Sequence, residues 1–204
     1  MAVRKATTAD VGTLRGVLAR AFHDDPVFAC IFPDAELRRA RMPLMFETWM
    51  ERIHLPHGEC YATDDLSGAA LWSPPGTWRI KVLDQLLLAP RVIKVFGRRA
   101  LVAIKILDGM QAKHPAEPHY YLAVVGTDPS RQGQGIGTQL MAPTLARLDR
   151  ERMPAYLESS NEKNLPFYRR HGFEQVDVYD TPLGPRIWLM WRKPLSPVTP
   201  LTPM

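Results

Sequence analysis

The chain has 204 residues, 46% apolar and 23% charged, which suits one compact soluble domain; two domains would each have to be small. Its 26 Lys and Arg against 21 Asp and Glu leave a formal charge of +5, enough to accommodate an anionic ligand but modest for a dedicated nucleic-acid binder. No apolar run approaches the roughly 18 residues that a spanning helix needs, and the start, MAVRKATTAD, has a basic pair with no apolar stretch behind it, so neither a membrane span nor an export signal is expected. Cys30 and Cys60 lack the paired spacing of a zinc or redox motif and read as ordinary thiols in a reducing, cytoplasmic setting.

In chain order, a short strand is expected at Val3 to Ala6, then a helix opened by Thr8 or Asp10 with Val11, Leu14, Leu18 and Phe22 at helical spacing. The stretch HDDPVFACIFPD reads as a loop broken at Pro26 and Pro33, followed by a helix from Ala35 to about Ile53. Cys60 to Thr63 and Ala69 to Trp72 make a hairpin around DDLSG. From Arg79 to about Lys113 the pattern is one or two helices interrupted near Pro90 and Gly97, their basic residues solvated on the edges of a core face.

From His119 the chain turns β-rich. HYYLAVVGT is a strand, a glycine-rich turn follows, then a helix carrying Ile136, Leu140, Leu145 and Leu148, and a strand AYLES: a βαβ unit. A helix around Asn161 to Arg170, a strand from Phe173 to about Tyr179 and a last strand IWLMWR complete the domain at about residue 194. Residues 195 to 204 carry no charge and three prolines, and read as a loose tail.

The segment DPSRQGQGIG carries the most chemistry. Gly133, Gly135 and Gly137 let backbone amides approach a ligand where a Cβ would collide, and the helix opening at Ile136 to Thr138 adds unsatisfied N–H groups and a positive dipole end. Arg131 adds charge, while Gln132 and Gln134 hydrogen-bond without needing a counterion. The GK-Ser/Thr string of a nucleotide loop is absent, and the spacing is GxGxG rather than the GxGxxG of a dinucleotide fold. A pyrophosphate site and a turn without a ligand both remain open on these residues alone.

Downstream stands SSNEKNLPFYRRHGF. With it the sequence resembles the GNAT superfamily of N-acetyltransferases, whose glycine turn binds the pyrophosphate of acetyl-coenzyme A and whose next helix carries an Asn, then a Tyr before a Gly-Phe ending; Asn161, Tyr168, Gly172 and Phe173 occupy those places. Within it, the blocks between Pro115 and Pro194 look most like puromycin N-acetyltransferase and its relatives, and the first 114 residues agree in element order more than in letters. The resemblance implies a mixed α/β fold: a central, mostly antiparallel sheet splayed at a cofactor notch, with helices on both faces. It implies acetyl transfer from acetyl-coenzyme A, as acyl-donor cosubstrate, to a primary amine of a small molecule by direct attack, in a monomer or homodimer with no metal and no nucleic-acid or membrane partner. The alternatives are a non-catalytic coenzyme A module and an enzyme acting on protein N-termini.

The same resemblance implies site roles. Backbone groups near Val124, Val125 and Thr127 would meet the pantetheine amides, with Asn161 or Asn164 on the pantetheine arm. Tyr168 would protonate the thiolate, and Glu158, ending its strand ten residues earlier, would accept the amine's proton or anchor the amine. His119, Tyr121, Asp24 and Asp25 are further candidates around the acceptor, and Trp49, Trp72 and Trp78 read either as its apolar walls or as core.

Overall fold

The computed structural model describes residues 2–78, 82–181 and 184–195, with the side chains of 82–87 outside that description. Strands β1 (Val3–Lys5), β2 (Cys60–Thr63), β3 (Gly68–Ser73), β4 (Tyr120–Thr127), β5 (Ala155–Ser159), β6 (Glu174–Asp180) and β7 (Arg186–Arg192) form one open sheet in the order β1-β2-β3-β4-β5-β7-β6. Every neighbouring pair is antiparallel except β4 with β5.

That exception opens the sheet. The parallel register runs only from Tyr120 opposite Ala155 to Leu122 opposite Leu157. Beyond it β4 continues to Thr127 on the β3 side, whereas Glu158 and Ser159 stay paired with Leu189 and Trp188 of β7. One edge of β4 therefore lacks a strand partner after Leu122, leaving main-chain donors and acceptors to be satisfied otherwise. The β3–β4 register also shifts: Leu71 faces Val124 while Trp72 faces Leu122, which leaves Ala123 as an extra residue. Such a bulge re-aims the side chains after it. Tyr121, Ala123 and Val124 accordingly pack on one face of the sheet, Leu122 and Val125 on the other.

Helices cover both faces. On one lie α1 (Val11–Ala21), α2 (Pro26–Ile31), α3 (Ala35–Trp49), α4 (Val82–Phe96) and α5 (Ala100–Lys113), burying Leu14, Leu18, Phe28, Phe46 and Ile106 against Leu71 and Tyr156. On the other lie α6 (Ile136–Glu151) and α7 (Leu165–Arg170), whose Leu140, Leu148 and Leu165 bury against Trp72 and Leu157. Each such side chain contributes roughly 1.5–3 kcal/mol through apolar burial. Trp72 is thus core, and Cys60 is a buried thiol that desolvation pushes up to about 12. Arg192, buried on β7, donates to both oxygens of Asp149 on α6 at 2.7 and 2.8 Å, which ties the sheet to that helix.

Two expectations are corrected. The stretch read as a loop contains α2: Pro26 stands at its first turn, where a missing N–H costs nothing, and the Asp25 carboxylate accepts from Val27 N at 2.9 Å and Phe28 N at 3.3 Å. Pro90 does not interrupt its helix either; α4 runs through it, and the break falls at Gly97, where φ is +50°. Pro143 likewise lies within α6 without ending it. The helix onset expected at Arg79 to Lys81 and the tail from 196 to 204 lie outside the described residues, among which no helix is long and apolar enough to cross a membrane.

Candidate active site

The splayed edge of β4 and the turn after it border a polar crevice of 710 Å³. Val125 and Thr127 line it from β4, Arg131, Gln132, Gly133 and Gly135 from the turn, and Ile136, Gly137 and Thr138 from the start of α6; Asn161 and Asn164 line it from the loop before α7. Gly133 and Gly135 both have φ of +77°, the left-handed region, and a methyl built on either would point into open space. The turn is thus held in a glycine conformation with its backbone bare toward the crevice. Gly137 also serves packing: a Cβ there would lie 3.0 Å from the ring of Phe167. Gln132 Nε2 donates to the carbonyl of Thr127 at 3.2 Å, closing the turn onto the end of β4.

Three guanidinium groups and the carboxylates of Asp24 and Asp25 line this crevice. Arg20 of α1 lines it and donates to Asp128, through Nε at 2.9 Å; Arg131 lies 3.4 Å from Asp65; and Arg170 enters from α7. Sequence reasoning missed Arg20 and Arg170, which sit far along the chain from the glycine turn. Gln134 does not line the crevice and instead accepts from Arg131 Nε at 3.2 Å. Val124, moved across the sheet by the bulge, lies in the wall of a second cavity.

That second cavity, 220 Å³ and mainly apolar, lies on the other side of β4 between the sheet and helices α2, α3 and α5. Glu158 faces it with its side chain almost fully buried. Tyr121 Oη donates to one carboxylate oxygen at 2.6 Å and Tyr156 Oη to the other at 3.0 Å, while His114 Nδ1 lies 3.7 Å away. Burial and the Glu158 charge push both phenols up, so they stay donors. His119 Nδ1 lies 2.6 Å from the carbonyl of Glu117 and must donate to it; burial lowers the pKa of His119 and keeps it neutral. Its Nε2 is then an acceptor, so the 2.9 Å contact between the two histidines is a donation from His114 Nε2. Trp78 stacks on His114 at 3.5 Å between ring centroids, and Trp49 also lines the cavity.

The two cavities share a border. Phe22, Asp25, Asn164 and Tyr168 line both, so Tyr168 stands between the glycine-turn crevice and the carboxylate-bearing apolar cavity. Burial first, and the neighbouring Asp25 charge second, push the Tyr168 hydroxyl up and keep it protonated. Asp25 also accepts from Ser160 Oγ, which fixes the start of α2 to the loop after β5, and its burial raises its own pKa. Asp24 lines the crevice, and His119 meets the apolar cavity only through His114.

Residues 97–175, which run from just before α5 through the split in the sheet and the glycine turn, match the family model described as acetyltransferase (GNAT) domain. Among particular relatives, an uncharacterized N-acetyltransferase of Schizosaccharomyces pombe is 29% identical over 193 residues, 89% of this chain and 78% of that one. The solved structure titled histone acetyltransferase HPA2 and related acetyltransferase from Corynebacterium glutamicum superposes with a TM-score of 0.72 at 26% identity, covering 97% of this chain and 98% of the other. A polyamine N-acetyltransferase of Drosophila melanogaster shares the fold at a TM-score of 0.62 and 14% identity, over 94% of this chain and 98% of its own. Enzymes of this class use acetyl-coenzyme A as donor and transfer its acetyl group to an amine.

Proposed function

We propose that this enzyme acetylates a primary amine of a small molecule by direct attack on acetyl-coenzyme A within a ternary complex. The observation that carries the reading is Tyr168, which lines the glycine-turn crevice and the carboxylate-bearing cavity at once. Bare turn amides around Gly133 and Gly135, together with Arg20, Arg131 and Arg170, suit phosphate groups. The unpaired edge of β4 suits an extended chain of amides, with the side chains of Asn161 and Asn164 beside it. When bound, the donor supplies an activated acetyl group on sulfur.

The chain supplies the rest. A main-chain N–H at Val124 or Val125 polarises the carbonyl under attack. Tyr168, kept neutral by burial, donates its proton to the departing sulfur and regains one from the acylated nitrogen as the amide forms. Glu158 holds the incoming ammonium and receives the proton it sheds, with His114 Nδ1 3.7 Å from its carboxylate. No covalent enzyme intermediate is required.

The test is calorimetric titration with acetyl-coenzyme A, then thiol release across puromycin, spermidine, aminoglycosides and short peptides. Puromycin is included because the blocks around Ser159 to Phe173 resemble the enzyme that acetylates it. Saturable heat and amine-dependent thiol release are expected; absence of binding would overturn the assignment.

A further inference from the structure

We infer that the acceptor is a monoamine borne on an apolar body, an arylalkyl or medium-chain alkyl amine, rather than a polyamine, an aminoglycoside or a peptide N-terminus. This rests on the proposed acetyl transfer and names the substrate class of that site. The apolar cavity has the lining such a molecule requires. Phe28 and Phe46 pack edge to face at 5.9 Å, and Trp49 meets the two rings at 6.2 and 5.8 Å. Phe96, Ile106 and Met110 close the opposite side from α4 and α5.

Polar groups cluster on the sheet side and at the border with the crevice, and the helices add the uncharged amide of Gln111 from α5. The carboxylates among the described lining residues are Glu158 and Asp25, and no Lys or Arg is among them. His54, buried and hydrogen-bonded to Ser73 at 3.2 Å, has its pKa lowered to about 4 by desolvation and adds no positive charge. A single ammonium therefore meets negative charge at the end where Tyr168 stands, and whatever follows it along the molecule meets aromatic rings.

A second ammonium or a row of hydroxyls placed among those rings loses its hydration without a partner. The polyamine enzyme shares only the fold, at 14% identity, and its acceptor is no guide to this cavity. Leu107, half-exposed on α5 and lining the same cavity, marks a place from which the discrimination can be altered without touching the core.

The test is kcat/KM for butylamine, hexylamine, octylamine and 2-phenylethylamine against spermidine, kanamycin and an alanyl peptide, with calorimetric binding of each amine to the complex with coenzyme A. Each methylene is expected to raise kcat/KM about fourfold until the cavity is filled, and the polar amines to fall about 100-fold or more below hexylamine. L107E is expected to raise the spermidine-to-hexylamine ratio of kcat/KM about tenfold, by offering a second ammonium a carboxylate. Preference for a polar amine overturns the inference and leaves acetyl transfer standing. So does binding of acetyl-coenzyme A with neither turnover nor heat from the apolar amines, or an L107E ratio that does not move. Failure to bind acetyl-coenzyme A at all overturns the underlying reading instead.

Discussion

Replacing Tyr168 by Phe removes one hydroxyl and keeps the ring that packs against Phe167 at 5.3 Å and Phe173 at 6.2 Å between centroids. Stability should therefore change by no more than about 1 kcal/mol. The chemical step should change more. A positioned general acid contributes about 10²–10⁴-fold, and because a thiol of pKa about 8.5 is already a fair leaving group near neutrality, the lower end applies. We expect the acetyl-transfer rate to fall about 100-fold, equivalent to about 2.7 kcal/mol of barrier, with the dissociation constant for acetyl-coenzyme A unchanged. The measurement is a single-turnover rapid-quench experiment, which isolates the transfer from product release. Because burial and Asp25 raise the Tyr168 pKa, its proton persists as pH rises, and the parent enzyme should show no loss of transfer rate up to about pH 10 on its account. A variant that transfers acetyl within twofold of the parent rate would remove Tyr168 from the chemistry.

G135A should cost about 1–2 kcal/mol in stability, because φ of +77° strains a residue with a Cβ even though the methyl meets nothing in the folded chain; differential scanning calorimetry checks the size, and acetyl-coenzyme A affinity should fall with it. D149A should cost about 3–5 kcal/mol in urea titrations, since the buried Arg192 guanidinium would lose its carboxylate partner. Asp10 and Asp25 should impose opposite pH trends. The Arg4 hydrogen bonds hold the Asp10 pKa well below the ordinary range, so the stability it contributes is full above about pH 4 and is lost as pH falls through its folded value. Burial raises the Asp25 pKa, so this group weakens the fold as pH rises from about 4 through its folded value. D10N should flatten the acid arm of the stability–pH curve and D25N the arm above it, measured as unfolding free energy from pH 3 to 8.

The apolar periodicity of Val11, Leu14 and Leu18 and the alternation along HYYLAVVGT place α1 and β4 because each element meets one continuous core face, and local spacing records that face. The same spacing misread residues 23 to 34. A proline ends a helix from within but opens one at its first turn, and the deciding residue is the cap one place earlier, Asp25, whose carboxylate reaches two main-chain amides. Pro90 was misjudged in the opposite sense, since packing tolerates it inside α4 while Gly97 makes the break. The glycine turn and the Asn161–Tyr168 block were legible as local strings. The bulge at Ala123 was not: an inserted residue leaves the letters of a strand unchanged and shows only in what each side chain then faces, Val124 toward the apolar cavity and Val125 toward the crevice.

Arg20 and Arg170 escaped the sequence for a related reason, and their placement explains how the two cavities differ. Guanidinium groups from α1, the glycine turn and α7 converge on the crevice, although more than a hundred residues separate the first from the second. Glu158 and its tyrosines converge on the other cavity from β4 and β5, a pair whose parallel register ends one residue before that carboxylate. On the proposed reading, an anionic donor would meet the guanidinium groups of the crevice and a cationic acceptor the carboxylate of Glu158, on opposite sides of the split after Leu122. Phe22, Asp25, Asn164 and Tyr168, shared by both walls, are where the two molecules would touch.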